Sequence, residues 1–370
     1  MNNKTIRRAI FGGAILGGLG LMVGCGAGGE EIGDEFAEAI PTSEMLRLEA
    51  GDAGRGGQGL TLEQGLGTPS ELKNHADAVV ARVNGALEVT HARIEALIEG
   101  VEPREVARNG VTCKIWETDG DRAHWLLSSC ERPARGEGFA FLLAGRPLAS
   151  TSEDDYLPVF AGAGARLEAV EGRRRGAGRV GYNLDNLNAL TGEGPTGKVG
   201  IGYRAAGRAR QLNIGLKGFK AAGEERDISA LYNFKKVEGV GGRLAFKVLT
   251  DFMTREGGEL SRGQDGVDEF GRVALSFAQG KGARAAAVAC GGSVGEGRCV
   301  GLHQCWAPSG EVTFEELAEG SEARPQWEET SCPALREALD AAPSEGDLSP
   351  APEGEGGLPA PAVPGASADE

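Results

Sequence analysis

The chain has 370 residues, with 39 Lys and Arg against 54 Asp and Glu, a formal net charge of −15. Such an acidic balance argues against general nucleic-acid binding, which rests on cations that neutralise phosphates. Beyond an amino-terminal run, no apolar stretch is long enough to cross a membrane as a helix.

In chain order, Lys4, Arg7 and Arg8 precede a short apolar segment, Ile10 to Val23, which closes on Met22-Val23-Gly24-Cys25. A basic start, an apolar stretch too short for a bilayer and a small residue before the cut form an export signal rather than a membrane helix. The cysteine at the cut resembles the lipobox of bacterial lipoproteins, over residues 1–25 and with Met22 where such signals more often have Leu. The resemblance implies removal of residues 1–24, acylation of Cys25 and a protein held on the bacterial cell envelope. In enterobacterial lipoproteins an Asp after the cysteine favours inner-membrane retention; Gly26 stands there, which points to the outer membrane. At about 0.8 kcal/mol per buried methylene, several acyl chains make an essentially permanent anchor.

Residues 25–67 read as a flexible tether, with Gly-Ala-Gly-Gly, Glu30-Glu31 and the Gly-rich run from Gly51. Within it, Glu35 to Leu48 is an amphipathic piece, expected as a transient helix. As a coil the whole tether, about 40 residues, averages about 35 Å end to end. Thr68-Pro69-Ser70-Glu71 then spells a capping box with Thr68 as cap and proline at the first helical position. Leu72, Ala76, Val79, Val83, Leu87, Ile94, Leu97 and Val101 follow at the three-four spacing of one buried helix face, which Gly100 and Pro103 end.

From Cys113 onward the chain becomes short runs between turn residues. The expected strands are Cys113–Glu117, His124–Ser129, Gly138–Ala144, Arg179–Leu184, Lys198–Arg204, Arg210–Lys217, Ile228–Lys235, Arg243–Thr250, Arg272–Ala278, Arg284–Cys290, Cys299–Cys305 and Val312–Phe314. Short strands without intervening helix patterns predict antiparallel pairing rather than βαβ units. Arg179, Lys198, Arg243 and Arg272 each follow a glycine and precede an apolar residue, a weak repeat of strand starts with a basic or small face opposite an apolar one. The fold expected is α+β and mainly β: an amphipathic helix on a large twisted antiparallel meander or half-barrel, one domain over residues 68–340. Residues 341–370, rich in Pro, Gly and acids, read as a disordered tail.

Apart from Cys25, Cys113, Cys130, Cys290, Cys299, Cys305 and Cys332 make an even set, as disulfides in an oxidising compartment require. Sequence alone allows fifteen pairings among six cysteines. Turns between Cys113 and Cys130 and between Cys290 and Cys299 favour those two pairs, leaving Cys305 with Cys332. Zinc is disfavoured because no CxxC pair exists.

Gly291-Gly292-Ser293-Val294-Gly295 matches GxSxG, whose chemistry needs a strand-to-helix elbow and a later histidine. Here strand-like runs flank it on both sides, so it reads as a hairpin turn. Gly192 to Lys198 nearly spells a phosphate loop but has Val199 at the magnesium position, and Gly176 to Gly181 spells GxGxxG after three arginines rather than a buried strand. His75, His91, His124 and His303 are scattered. Asp265, Asp268 and Glu269 share a loop without the ligand spacing of a calcium site. No catalytic residue, metal or cofactor is expected.

Charge segregation is the most suggestive feature. Between Gly172 and Ala285 stand 20 Lys and Arg against 12 Asp and Glu, inside an acidic chain. A basic sheet face carrying Arg179, Lys198, Arg243 and Arg272 would suit anionic lipid or acidic polysaccharide; the reading favoured from sequence is the blander one, that edge and outer-face Lys and Arg keep the sheet from pairing with others. The functional expectation is a lipid-anchored, non-catalytic binding or structural protein of the envelope. The alternative is a carrier, similar to periplasmic lipoprotein carriers, with an apolar cavity between helix and curved sheet.

Overall fold

Large apolar residues alternate with small or polar ones through most of the chain after Val111, and this period of two organises the architecture. The structure, a computed structural model, describes residues 35–50 and 70–319 except 109, 132–137, 171, 172, 225, 252, 257, 258, 263 and 264. Cys25, Cys332, the signal and the tail lie outside the described residues.

The strands in chain order are β1 (Arg104–Arg108), β2 (Val111–Asp119), β3 (Ala123–Glu131), β4 (Gly138–Pro147), β5 (Leu157–Val170), β6 (Arg173–Asn183), β7 (Thr196–Ala206) and β8 (Ala209–Lys220). They continue as β9 (Ile228–Val237), β10 (Gly241–Thr250), β11 (Met253–Glu256), β12 (Glu259–Arg262), β13 (Glu269–Ala278), β14 (Gly282–Gly291), β15 (Gly295–Trp306) and β16 (Val312–Glu319). Fourteen of them form one open antiparallel sheet in sequence order, with β10 pairing directly to β13 and β11–β12 standing aside as a hairpin. The protein is therefore mainly β, a meander in which every sheet neighbour but one pair, β10 and β13, is the next strand of the chain.

The inserted hairpin leaves the register of β10 on β13 unbroken from Gly241↔Ala278 to Thr250↔Glu269. Asp251 closes its neck. Its buried carboxylate accepts hydrogen bonds from the amides of Gly266 (2.7 Å) and Asp265 (3.2 Å) and pairs with Arg226 at 2.5 Å. Burial opposes ionisation there, but these donors outweigh it and hold the carboxyl below its usual range.

All twelve expected strand runs fall within β2–β4, β6–β10 and β13–β16. One end differs: Leu184 opens a helix, α4, instead of closing a strand. The helices are α1 (Glu35–Ala39), α2 (Ser43–Leu46), α3 (Glu71–Gly100) and α4 (Leu184–Thr191). Asn183 caps α4 by accepting from the Asn186 amide, and Leu184, Leu187 and Leu190 are buried on one face. Gly192 ends it with φ +82°, a left-handed conformation that glycine adopts without a Cβ penalty.

The cap of α3 is Ser70, two residues after the expected Thr68; its hydroxyl accepts from the Lys73 amide at 3.1 Å. The same hydroxyl donates to Gln304 Oε1 (2.8 Å), which also receives the Leu72 amide (3.3 Å), so the helix start is sewn to β15. Leu72, Ala76, Val83, Leu87, Ile94 and Leu97 are buried, as their spacing requires. Each fully buried Leu or Ile contributes about 1.5–3 kcal/mol. Further along, His91 Nε2 lies 2.7 Å from the Tyr182 hydroxyl on β6, and Arg93 stacks over Trp125 on β3, 4.3 Å from the ring centroid.

Residues 35–50, inside the stretch expected as a tether, belong to the core. Phe36, Ile40, Leu46 and Leu48 are buried, and Phe36 meets Phe139 edge-on at 5.4 Å. Asn84 on α3 exchanges two hydrogen bonds with the Leu48 backbone, at 2.9 and 3.0 Å. Glu49 pairs with both Arg210 on β8 and Lys236 on β9. The composition suggests a leash because it is rich in Gly and acids; a few large apolar residues at the right places are enough to dock it.

Two disulfides join directly opposed residues of hairpins: Cys113–Cys130 across β2 and β3, and Cys290–Cys299 across β14 and β15. Cys305 is disulfide-bonded as well.

A candidate anion-binding groove

The sheet has two unlike faces. On the inner one, Val180 and Tyr182 of β6, Ile201 and Tyr203 of β7, Leu212 and Ile214 of β8, and Tyr232 and Phe234 of β9 are buried. Glycines on that face make room for rings. A methyl added at Gly162 would stand 2.5 Å from the Phe141 ring, and one at Gly164 2.5 Å from the Tyr203 hydroxyl.

On the outer face the register aligns Gly181, Gly200 and Gly215 on neighbouring strands, continuing to Leu231, Lys247 and Arg272. A methyl at Gly200 would meet nothing within 4 Å, and one at Gly215 only the Leu231 side chain at 3.6 Å. Neither packing nor positive φ demands glycine at Gly200. Glycine in a strand interior weakens it and marks places where a ligand or another backbone comes close. The next row of the same face holds Gly202, Asn213, Asn233, Ala245 and Ala274, with the Asn233 amide donating to Asn213 at 2.6 Å.

These small residues floor an open groove of about 420 Å³ across β7–β10 and β13. Lys198 and Lys217 stand at one end and Lys247 and Arg272 at the other, with no carboxylate in its lining. None of these four makes an ion pair or side-chain hydrogen bond among the described residues. The positive potential of the groove is thus uncompensated, a condition that draws anions by field rather than by fit.

The four basic residues expected on one face are on it: Arg179 on β6, Lys198 on β7, Arg243 on β10 and Arg272 on β13 share strand parity. Lys198 and Arg272 line the groove, whereas Arg179 and Arg243 do not. Lys217, Lys247 and the glycine floor were missed. The parity of Lys247 with Arg243 was a usable signal; that Lys217 and Lys247 face one groove from its two ends needed the register.

The other candidates resolve into scaffolding. Gly291–Gly295 forms the hairpin turn between β14 and β15. Glu269, buried, accepts the Ser293 amide at 2.8 Å, and the Ser293 hydroxyl donates to Asp265 at 2.5 Å. Gly292 has φ +52°, and a methyl there would strike the Glu269 carboxylate at 2.4 Å. Two of the three loop acids therefore fasten this turn. In the Gly192–Lys198 stretch, Asp185 accepts the Gly197 amide at 2.7 Å, pinning the turn before β7.

His124 Nδ1 sits 2.6 Å from Asp119, His303 Nδ1 sits 3.8 Å from Glu316, and His75 lies within α3. Burial pulls His303 below its ordinary pKa, against the opposing charge of Glu316. His91 is pushed down to about 4 by burial among Phe160 and Tyr182. Among the described residues no group of three His, Cys, Asp or Glu is arranged to hold a metal.

Comparison with known proteins returned no matching family model, no matching curated protein and no matching solved structure.

Proposed function

We propose that the protein is a lipid-anchored envelope lipoprotein without catalytic activity that binds an anionic ligand on the outer face of its sheet. One observation carries the binding reading: four unpaired cations ring a bare floor on central strands. Edge protection does not account for them, because β7, β8, β10 and β13, which carry them, are all interior strands of the fourteen-strand order. The lipid anchor rests on the sequence around Cys25. With residues 35–50 docked, nine residues lie between Cys25 and Glu35, ten backbone steps that span at most about 33–36 Å, so the anchored body would stay near its membrane.

In this reading the sheet curls around α3 as a half-barrel. Its support is that α3 reaches β3 through Arg93, β6 through His91 and β15 through Ser70 and Leu72. The carrier alternative needs an apolar space between α3 and the sheet. Around His91 that space holds the rings of Phe141, Phe160 and Tyr182 in mutual contact, which favours the binding reading.

Titration calorimetry with dextran sulfate tests the groove. Replacing Lys217 and Lys247 by Glu should weaken binding at least tenfold, while the same reversals at Arg104 and Arg122 should not; equal effects of the two pairs would refute the groove. Fractionation tests the anchor: Cys25→Ser should move the folded chain from membrane to soluble fraction, and an unchanged membrane fraction would refute acylation.

A further inference from the structure

Beside the cations of the groove stand large apolar side chains in contact with solvent. Leu231 is 59% exposed, Leu249 53% and Phe270 46%, all on the outer face. They interleave with the basic residues. Leu231 lies opposite Lys247, and Leu249 lies opposite Phe270, one outward-facing step along β10 and β13 from the Lys247–Arg272 pair. A solvated face has no use for this cluster. Leu or Phe beside Lys and Arg is instead the pattern of surfaces that enter the boundary between headgroups and acyl chains, with cations at phosphate level.

The groove volume lies near the lower end of the range for small-ligand sites, about 300–1,000 Å³, which suits a headgroup rather than a complete two-chain lipid. Its glycines leave Gly200 and Gly215 without side chains where such a group would descend between Lys198 and Lys217 on one side and Lys247 and Arg272 on the other. The strand amides are engaged in the ladder, so the floor offers room and the side chains offer the donors.

Building on the anionic-ligand reading above, we infer that the ligand is an anionic phospholipid still in its bilayer. Its headgroup phosphate sits over Gly200 and Gly215, and Leu231, Leu249 and Phe270 dip into the interfacial layer. Acyl anchoring at Cys25 would place this face within reach of such a surface, but the recognition belongs to the sheet.

The test uses the full chain carrying Cys25→Ser, so that acylation cannot hold it on vesicles. Co-sedimentation is measured with phosphatidylcholine vesicles with and without phosphatidylglycerol, and dextran sulfate binding is measured in parallel. The chain should bind only vesicles containing phosphatidylglycerol. Replacing Leu231, Leu249 and Phe270 by Ser should cut vesicle affinity at least about tenfold, a loss of about 1.4 kcal/mol or more of apolar insertion, with dextran sulfate binding unchanged. Replacing Lys217 and Lys247 by Glu should weaken both at least tenfold. Equal vesicle binding by the Ser variant, or equal binding to phosphatidylcholine alone, would overturn the lipid inference while leaving the anion groove intact. Loss of dextran sulfate binding in the parent chain would overturn the groove itself. Circular dichroism of each variant identifies any that fails to fold, and single Ser replacements then carry the test.

Discussion

At Gly178 an added methyl would come within 2.4 Å of the Ala163 carbonyl oxygen, whereas at Gly200, one strand away on the opposite face, it would meet nothing within 4 Å. Both residues sit in strand interiors, where glycine costs about 0.5–1 kcal/mol in conformational entropy relative to alanine. Inside, that cost is offset by close packing of β5 on β6 and by the Tyr203 ring that fills the gap. Outside, nothing in the fold offsets it. The same residue type therefore reports packing on one face and vacancy on the other, and only vacancy calls for an explanation outside the chain.

The strongest way to break this comparison is to add one methyl on each face. Gly178→Ala should lose about 3 kcal/mol or more in urea unfolding, because the obstructing atoms are backbone and cannot turn aside. A loss under 1 kcal/mol would show that the inner strip is not packed as described.

Acid sharpens the contrast next. Between pH 6.5 and about 4 the unfolded chain takes up a proton at His91 while the folded chain does not. Stability should therefore fall as pH falls through that window, by about 3 kcal/mol in all, and the His91→Leu variant should lose this part of the slope. His91 lies on the inner side of the sheet, away from the groove, so dextran sulfate binding should persist down to the point of unfolding.

Smaller effects are expected outside. Asn213→Ala removes the exposed hydrogen bond from Asn233 and should cost about 0.5 kcal/mol or less in stability, as solvent replaces the partner. Gly200→Ala should raise stability by about 0.5–1 kcal/mol, since the added methyl meets nothing, yet weaken dextran sulfate or vesicle binding by narrowing the floor. Unchanged binding would remove Gly200 from the site.

How much of this was readable in the sequence depended on side-chain size. Strands with bulky alternation, such as Leu212, Ile214 and Leu216 on β8, announce themselves. β5 did not, because its inner positions Gly162 and Gly164 are emptied for the rings of Phe141 and Tyr203, so the apolar period vanishes where packing is tightest. β1 was hidden by charge: Arg-Glu-Val-Ala-Arg is an edge strand with little to bury. α1 and α2 fall inside the amphipathic Glu35–Leu48 piece read as a transient helix, but its docking on the core had no signal in a Gly-rich acidic background. The basic repeat revealed Arg179, Lys198, Arg243 and Arg272, but a groove is a property of neighbours. Lys217 and Lys247 come to face one groove only once β8, β9 and β10 are laid in register, and the exposure of Leu231 has no local signature.

The latch at Asp251 has a practical side. Because β10 meets β13 as though nothing intervened, and the buried carboxylate ties the chain at the point of departure, β11–β12 is a side branch whose length and content do not set the sheet's alignment. A peptide tag or a fluorophore placed in that branch would ride on the molecule without disturbing the groove, giving an optical reporter of where the outer face comes to rest.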